Sequence, residues 1–261
     1  MKKYCILGTD GRSVKLRELY VNEGKKISDY IDGDYIIAPI PLSRDGEKIN
    51  GEILTLDEIF TLPNIKDKVI FSGAIQNNIK DKMNKGNIKY YDLMDLDEIA
   101  ILNGIPTAEG AIATAMEITD FTLCSSNVLV MGFGRIGKIL SKMLHGIGSN
   151  VYVEARKEKD LAEIRAMGYI PINLTNLSEY LDKFDIIFNT IPTTILGKEK
   201  LDIIDKKCCI IDLASSPGGI DFAYAKDIGL NVVWALALPG KVAPLSSAKY
   251  IKEAIDRILE E

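Results

Sequence analysis

The amino-acid sequence predicts an α/β fold with parallel sheets, and two observations carry that prediction. A GxGxxG turn at 132–137 follows an apolar run at 128–131 and precedes a helical stretch and a second apolar run at 151–153. Further along the chain, short apolar runs keep alternating with helical stretches, which is typical of strands joined by right-handed helical crossovers. We therefore expect two Rossmann-like domains, each a doubly wound parallel sheet, joined by an interdomain helix.

The first part of the chain predicts a smaller α/β domain over residues 1–106. Its predicted elements are strands at 4–7, 35–38 and 69–71 and a helix at 13–23. The Gly8-x-x-Gly11 turn after the first strand lacks the full dinucleotide pattern, so we assign this domain to the substrate. A helix at 107–123, rich in Ala, Ile and Met, is expected to bridge to the second domain, with a cleft between the two.

Residues 124–243 predict the dinucleotide-binding domain. Beyond the first two strands, further strands are predicted at 170–172, 185–189, 208–213 and 231–235. Ligands of such sheets bind beyond the carboxyl ends of the strands. The loops that open at Thr190, Ala214 and Pro239 are therefore expected to form the nicotinamide side of the site. Cofactor contacts are predicted at Thr190, Ile191 and Pro192.

The glycine turn predicts the pyrophosphate site. Gly132 allows a sharp turn out of the strand, Gly134 lets a phosphate approach the backbone, and Gly137 lets the helix pack against the sheet. The N-terminus of that helix supplies free N–H groups and a partial positive charge. Arg135 and Ile136 complete this predicted set of cofactor contacts.

The end of the second strand bears on the choice between NAD and NADP. Ala155 occupies the position where NAD-binding sites usually have an acidic ribose ligand, and Arg156 and Lys157 follow it. A small residue with two cations suits a 2′-phosphate, so these three residues are predicted to favour NADP. Glu154 should point to the opposite face because strand side chains alternate. A register shift of one residue would make Glu154 an NAD-type ligand, which leaves NAD as the alternative.

Composition limits the classes of partner. The chain has 261 residues, of which 47% are hydrophobic and 26% charged, with a net charge of −5. These values indicate a soluble globular protein and give no reason to expect nucleic acid or an anionic membrane as a partner. The N-terminal segment is interpreted as a first strand rather than a signal peptide. The four cysteines show no metal-binding spacing, so we expect no metal site and a cytoplasmic protein with buried thiols.

Short motifs from one end of the chain to the other form a characteristic set. They are Gly8 with Asp10 and Arg12, VIFSG at 69–73, IPTAEG at 105–110, GFGRIG at 132–137, NTIP at 189–192, DLASSPGG at 212–219, LPG at 238–240 and VAP at 242–244. This set resembles the A subunit of dipicolinate synthase, and the resemblance runs nearly end to end.

The resemblance implies a function and partners. It implies an enzyme of endospore formers, in the mother cell, that works with a separate B subunit. Such an enzyme oxidises a dihydrodipicolinate-type intermediate to pyridine-2,6-dicarboxylate with NADP⁺ as acceptor. The layout is also similar to D-2-hydroxyacid dehydrogenases, which implies that the C-terminal segment 244–261, with its amphipathic helix at 246–259, packs back on the first domain. We expect the protein to be an oligomer.

The sequence offers few candidates for acid–base catalysis. The single histidine, His145, lies late in the helix after the glycine turn and is interpreted as a packed or surface residue. Loss of hydride and proton from a dihydropyridine creates an aromatic ring, so a weak proton acceptor suffices. Glu109, with Thr107 beside it, is the predicted catalytic pair. The alternative is that Thr107 caps the helix and Glu109 only complements its dipole.

A dicarboxylate substrate also needs cations and N–H or O–H donors. Arg12 is the predicted carboxylate partner, and Lys241 is a second candidate. Neutral donors are predicted at Ser72, Ser215 and the backbone of Gly218. The alternative for both Arg12 and Lys241 is an ordinary solvated charge on the protein surface.

Two other function classes stay open at this point. One is an NAD(P)-dependent reductase of a small keto or enoic acid, which would share the cofactor site and differ in the first domain. The other is a non-catalytic nucleotide-binding subunit that supports a partner enzyme.

Overall fold

The computed structural model describes residues 2–260, which form two compact units. The first unit combines the chain up to Asn103 with the segment from Pro239 onward, and the second is the continuous segment Gly104–Leu238. Each unit is built on one sheet whose paired strands all run parallel, with helices against it. The predicted fold class of two Rossmann-like parallel sheets is therefore confirmed.

Strands and helices alternate along most of the chain. The strands are β1 (Lys3–Ile6), β2 (Lys26–Ile27), β3 (Tyr35–Ile37), β4 (Val69–Ser72), β5 (Lys89–Asp92), β6 (Asn127–Met131), β7 (Asn150–Ala155), β8 (Ile170–Asn173), β9 (Ile186–Asn189), β10 (Cys209–Asp212) and β11 (Asn231–Trp234). The α-helices are α1 (Gly11–Asn22), α2 (Leu56–Phe60), α3 (Asn77–Lys85), α4 (Asp97–Leu102), α5 (Gly104–Ile118), α6 (Arg135–Ile147), α7 (Glu158–Ala166), α8 (Lys198–Leu201), α9 (Phe222–Asp227), α10 (Leu238–Val242) and α11 (Pro244–Glu260). Short 3₁₀ turns lie at Ile65–Asp67, Leu93–Asp95, Leu174–Glu179 and Leu181–Lys183.

The first unit is a five-stranded sheet in the order β2-β1-β3-β4-β5. One face packs against α2 and α3 through buried aliphatic side chains such as Ile59 and Ile79. The other face packs against α1 and α11, where Tyr20 and Ile255 are fully buried. The C-terminal helix is therefore part of the core of the first unit.

The second unit is a six-stranded sheet in the order β11-β10-β9-β6-β7-β8. Helices α5, α6 and α7 supply side chains to the core on one face of it. The opposite face packs against α8, α9 and the 3₁₀ turns after β8. The order in which the strands are added reverses between β6 and β9, which pair with each other in parallel. The carboxyl ends of these two strands are the switch point at which such sheets bind ligands.

The helix predicted at 107–123 differs from the observed one at both ends. Helix α5 begins at Gly104 because Pro106, in the first turn, needs no backbone partner for an N–H group. It ends at Ile118, and both the N–H and the hydroxyl of Thr119 donate to the carbonyl of Ala115, at 3.1 and 2.8 Å. The predicted limits were therefore displaced toward the C-terminus. Within the second unit, α5 packs against α6.

One stretch of the described chain, Asp97–Ile118, matches a membrane span by length and composition. Of its most apolar window, 56% is buried inside the protein. The core helix of a soluble protein passes the same test, so this match is weak evidence for a membrane.

Candidate dinucleotide-binding site

The glycine turn at the end of β6 has a backbone that other residues do not readily adopt. Gly132 has a φ of +91°, in the left-handed region that favours glycine. A Cβ atom there would lie 2.6 Å from Oγ1 of Thr190 and 2.9 Å from Cγ1 of Ile191. The turn therefore needs glycine both for its conformation and for the close approach of the neighbouring loop.

The other two glycines have different surroundings. A Cβ atom on Gly137 would lie 2.0 Å from the carbonyl oxygen of Gly132, so α6 can approach the turn only without a side chain here. Gly134 precedes α6 as its N-cap and is exposed, and no described atom lies within 4 Å of its Cβ position. The space beside Gly134 is therefore open, and Arg135 and Ile136 follow it in the first turn of α6. This arrangement fits a pyrophosphate bound by backbone N–H groups.

The end of β7 presents cations next to this turn. Strand β7 pairs with β6 in the register Met131↔Glu154, so Ala155 follows at the level of the glycine turn. Ala155 is buried, whereas Arg156 and Lys157 are exposed and lead into α7. A positively charged surface thus lies beside the N-terminus of a second helix, and it suits an anionic group on the ribose.

Glu154 is a buried residue that is hydrogen-bonded to the glycine turn. It is 1% exposed, and the N–H of Gly132 donates to its carbonyl oxygen at 3.2 Å and to its Oε2 at 3.1 Å. Its Oε1 is buried and has no hydrogen-bond partner among the described residues. Burial raises the pKa of the Glu154 carboxyl, and the Gly132 hydrogen bond and the charge of Arg156 offset only part of that rise. The sequence pattern indicated Glu154 only as an alternative ribose ligand and gave no sign of its bond to Gly132.

The buried carboxyl makes stability depend on pH. Because the folded-state pKa is raised, the stabilising contribution is complete below the ordinary glutamate pKa, about 4.3. It is lost as the pH rises through the folded-state value. Glutamine keeps an acceptor for Gly132 but does not titrate. We compare the free energy of unfolding of the Glu154→Gln variant with that of the unmutated protein. As the pH rises, we expect the variant to gain stability relative to the unmutated protein, with a limiting slope of about 1.4 kcal/mol per pH unit. Thermal melts of both proteins from acid to mildly alkaline pH measure this; parallel curves would contradict it.

The loop after β9 lies against the glycine turn. The N–H and the hydroxyl of Thr190 both donate to the carbonyl of Met131, at 3.0 and 2.8 Å. Ile191 is half-buried and Pro192 is exposed. The structure therefore brings the predicted phosphate residues and the loop at Thr190 to one edge of the second sheet. The loop at Pro239 belongs to the first unit.

The loop after β10 reaches the same edge. Ser215 is exposed, and the N–H of Gly218 donates to its carbonyl at 2.8 Å. Gly218 has a φ of +84°, and a Cβ atom there would lie 2.8 Å from Oδ2 of Asp212. Beneath the two loops, the buried side chain of Asn189 donates to Oδ1 of Asp212. In the sequence analysis Asn189 and Asp212 appear only as the first residues of the motifs NTIP and DLASSPGG.

In the second unit, Thr107 and Glu109 lie inside α5 rather than at its start. Thr107 is buried and Glu109 is exposed. Because the helix begins at Gly104, the alternative in which Thr107 caps the helix is wrong. The catalytic assignment of the two residues stays a prediction.

The predicted substrate residues of the first unit are largely engaged with its loops. Arg12 is 7% exposed, and its Nη2 donates to the carbonyl of Ile40 at 2.5 Å and contacts Oδ2 of Asp10 at 3.3 Å. Ser72 is fully buried and its hydroxyl donates to the carbonyl of Pro39 at 2.6 Å. Lys241 is exposed on α10. The substrate roles of these three residues stay predictions.

His145 lies where the sequence placed it, late in α6. It is exposed, and its ring meets Tyr169 edge to face with the centroids 5.4 Å apart. Within residues 2–260, no group of three or more His, Cys, Asp and Glu side chains has the arrangement of a metal site. Cys5, Cys208 and Cys209 are buried free thiols, and Cys124 is exposed.

Comparisons with known proteins agree with this geometry. Residues 107–216 match the family model described as the D-isomer specific 2-hydroxyacid dehydrogenase, NAD binding domain. D-lactate dehydrogenase from Escherichia coli superposes with a TM-score of 0.65 at 14% identity, over 100% of this chain and 97% of that one. At that identity the similarity concerns the fold alone.

Three comparisons with dipicolinate synthase are stronger. The A subunit from Bacillus subtilis (strain 168) is 36% identical over 233 residues, which make up 87% of this chain and 78% of that protein. The crystal structure of the A subunit from Bacillus halodurans superposes with a TM-score of 0.90 at 31% identity, over 100% of this chain and 98% of that one. The crystal structure of the Bacillus subtilis protein gives 0.86 at 31% identity, over 99% and 96%. The chain therefore belongs to the family of dipicolinate synthase A subunits.

Proposed function

We propose that this chain oxidises a dihydrodipicolinate-type intermediate to pyridine-2,6-dicarboxylate, with NADP⁺ as the hydride acceptor. The observation that carries the proposal is the 36% identity to the A subunit of dipicolinate synthase, spread over 87% of the chain. The open helix N-terminus at the glycine turn supports a nicotinamide dinucleotide as cofactor. The exposed Arg156 and Lys157 beside it support NADP rather than NAD.

The proposed reaction needs only a weak proton acceptor from the protein. The dihydropyridine ring gives a hydride from a ring carbon to the oxidised nicotinamide and a proton to a base, and the ring becomes aromatic. NADPH, a proton and the aromatic dicarboxylate are the products. Because aromatisation drives the step, a solvated carboxylate suffices as proton acceptor. The protein's main task is to hold the reacting groups in line and to neutralise the two carboxylates.

Glu109 is our proposed proton acceptor. Its side chain is exposed to solvent on α5. We expect Glu109→Gln to lower kcat about 10²-fold, in line with the usual contribution of a positioned general base, with little change in the KM for cofactor. Steady-state kinetics measure both constants. Glu117→Gln is the matched control, because Glu117 is exposed on the same helix and has no proposed role. Equal kcat values for the two variants would leave Glu109 as an ordinary surface residue.

The proposal also includes partners and a compartment. We propose a complex with a B subunit in the cytoplasm of the sporulating mother cell, and an oligomeric state. Arg12 and Lys241 are proposed to bind the substrate carboxylates, with the exposed Ser215 as a neutral donor. Ser72 and the Gly218 N–H, also predicted as donors, would serve only after giving up their present bonds to the carbonyls of Pro39 and Ser215.

One assay separates the proposed function from its alternatives. Formation of pyridine-2,6-dicarboxylate is followed without oxygen, because dihydropyridines oxidise in air, with NADP⁺ or NAD⁺ and with or without the B subunit. We expect one NADPH for each product molecule formed. Reduction of small keto or enoic acids without dicarboxylate formation would support the reductase alternative. Nucleotide binding without turnover, even with the B subunit, would support a non-catalytic role.

A further inference from the structure

Two polar side chains lie fully buried at the ends of neighbouring central strands. Asn189 ends β9 and Asp212 ends β10, and the two are direct partners in the parallel register. Both are 0% exposed, and Nδ2 of Asn189 donates to Oδ1 of Asp212 at 2.8 Å. Burying a carboxylate and an amide is unfavourable unless hydrogen bonds replace the lost water. The other hydrogen bonds of the two side chains therefore show which segments the pair holds in place.

The remaining bonds all go to two loops. Asn189 donates to the carbonyl of Ile191 at 3.0 Å and accepts from the N–H of Ile191 at 3.2 Å. Asp212 accepts from the N–H of Ala214 at 2.9 Å and from the N–H of Gly219 at 2.8 Å. One side chain thus fixes the loop after β9 and the other fixes the loop after β10. The bond between them fixes one loop relative to the other.

The glycines of the second loop are fitted to this pair. A Cβ atom on Gly219 would lie 2.2 Å from Nδ2 of Asn189 and 2.7 Å from the carbonyl oxygen of Ile191. The N–H groups of Ile195 and Leu196 also donate to the carbonyl of Gly219, at 2.9 and 3.1 Å. The two loops are therefore packed directly against each other, with the Asn189 amide at their contact.

The first loop in turn contacts the phosphate-binding turn, through the two bonds from Thr190 to Met131. A chain of contacts thus runs from the glycine turn, through Thr190 and Asn189, to Asp212 and the second loop. A dinucleotide held at the glycine turn would place its adenosine end toward β7, which leaves the loops after β9 and β10 for the nicotinamide end.

We infer that Asn189 and Asp212 are a positioning pair for the nicotinamide half of the cofactor. They act through the two loops, since neither side chain is exposed to a ligand. The inference rests on the proposed function, because it takes a nicotinamide dinucleotide as the cofactor. The adenosine half is proposed to bind beside Arg156 after β7, which lies two strands away from β9 in the sheet.

Two probes separate the halves of the site. NADPH occupies both halves, whereas 2′,5′-ADP occupies only the adenosine half, and both are titrated calorimetrically on the whole chain. We expect Asp212→Asn, which turns the acceptor for Gly219 into a donor, to raise the Kd of NADPH about tenfold. The Kd of 2′,5′-ADP should change less than twofold. Asn189→Ser, which replaces the amide by a single hydroxyl and so removes most of these bonds, should move the same ratio in the same direction. It provides the test if Asp212→Asn does not fold.

Asp185→Ala is the matched control, because it removes a carboxylate from the chain just before the same strand β9. Asp185 accepts from the N–H of Asn127 at 2.8 Å, away from both loops. We expect it to lower the melting temperature without changing the ratio of the two Kd values. Equal weakening of both probes by the Asp212 and Asn189 variants, or no weakening of either, would overturn the positioning role. Failure of the unmutated protein to bind either probe would instead overturn the proposed cofactor.

Discussion

Replacing Gly137 by alanine should destabilise the second unit and strongly weaken dinucleotide binding. The new Cβ atom would lie 2.0 Å from the carbonyl oxygen of Gly132. The atom it meets is backbone, so no side-chain rotation relieves the clash and α6 must move away from the turn. Overpacking of this kind costs about 1–3 kcal/mol, and we expect the upper end of that range or more. Thermal denaturation and cofactor titration of the variant measure the two effects.

Gly146→Ala provides the control on the same helix. Gly146 is exposed late in α6, and its Cβ position is free of described atoms within 4 Å. Alanine is the better helix former there, so this variant should gain about 0.5–1 kcal/mol of stability and bind cofactor normally. If Gly137→Ala behaved like Gly146→Ala, the close approach of helix and turn would not matter for this site.

Replacing Arg156 by alanine should remove most of the preference for NADPH over NADH. Arg156 is exposed at the end of β7, and the residue before it is alanine rather than an acidic ribose ligand. Hydrogen bonds to a charged partner contribute about 1.5–3 kcal/mol, so the Kd of NADPH should rise on the order of 10- to 100-fold. The Kd of NADH should stay nearly constant. Fluorescence titration of both reduced cofactors gives the four values.

The matched control for this prediction is Arg165→Ala. Arg165 is exposed near the C-terminal end of α7, the helix that follows Arg156. Arg165→Ala changes the net charge by the same amount as Arg156→Ala, but Arg165 lies at the other end of α7 from the proposed phosphate site. Equal affinity of the unmutated protein for NADPH and NADH would end the argument for NADP.

The strands of the second unit were predictable because their signal is local and strong. The apolar run at 128–131 became β6, and the glycine turn followed it directly. In the first unit β5 was not predicted, because its sequence Lys-Tyr-Tyr-Asp at Lys89–Asp92 is polar and it lies at the edge of the sheet. Strand β2 has only two residues, too few for any periodicity.

The site was predictable in proportion to how local its contacts are. The spacing of Gly132, Gly134 and Gly137 is a property of one short segment, so its function could be inferred before the fold was known. The bond between Asn189 and Asp212 joins residues 23 apart in the chain and depends on the register of two strands. That register is set by packing across the sheet, and no short motif encodes it.

The place of α11 has a consequence for how the protein forms during synthesis. The second unit is a continuous segment that ends at Leu238, so all of its residues have been made before the chain is finished. The first unit cannot bury Tyr20 and Phe71 against α11 until the residues of α11 have left the ribosome. We therefore expect the middle of the chain to fold first. Until α11 is available, the N-terminal sheet has an exposed apolar face and depends on chaperones to avoid aggregation.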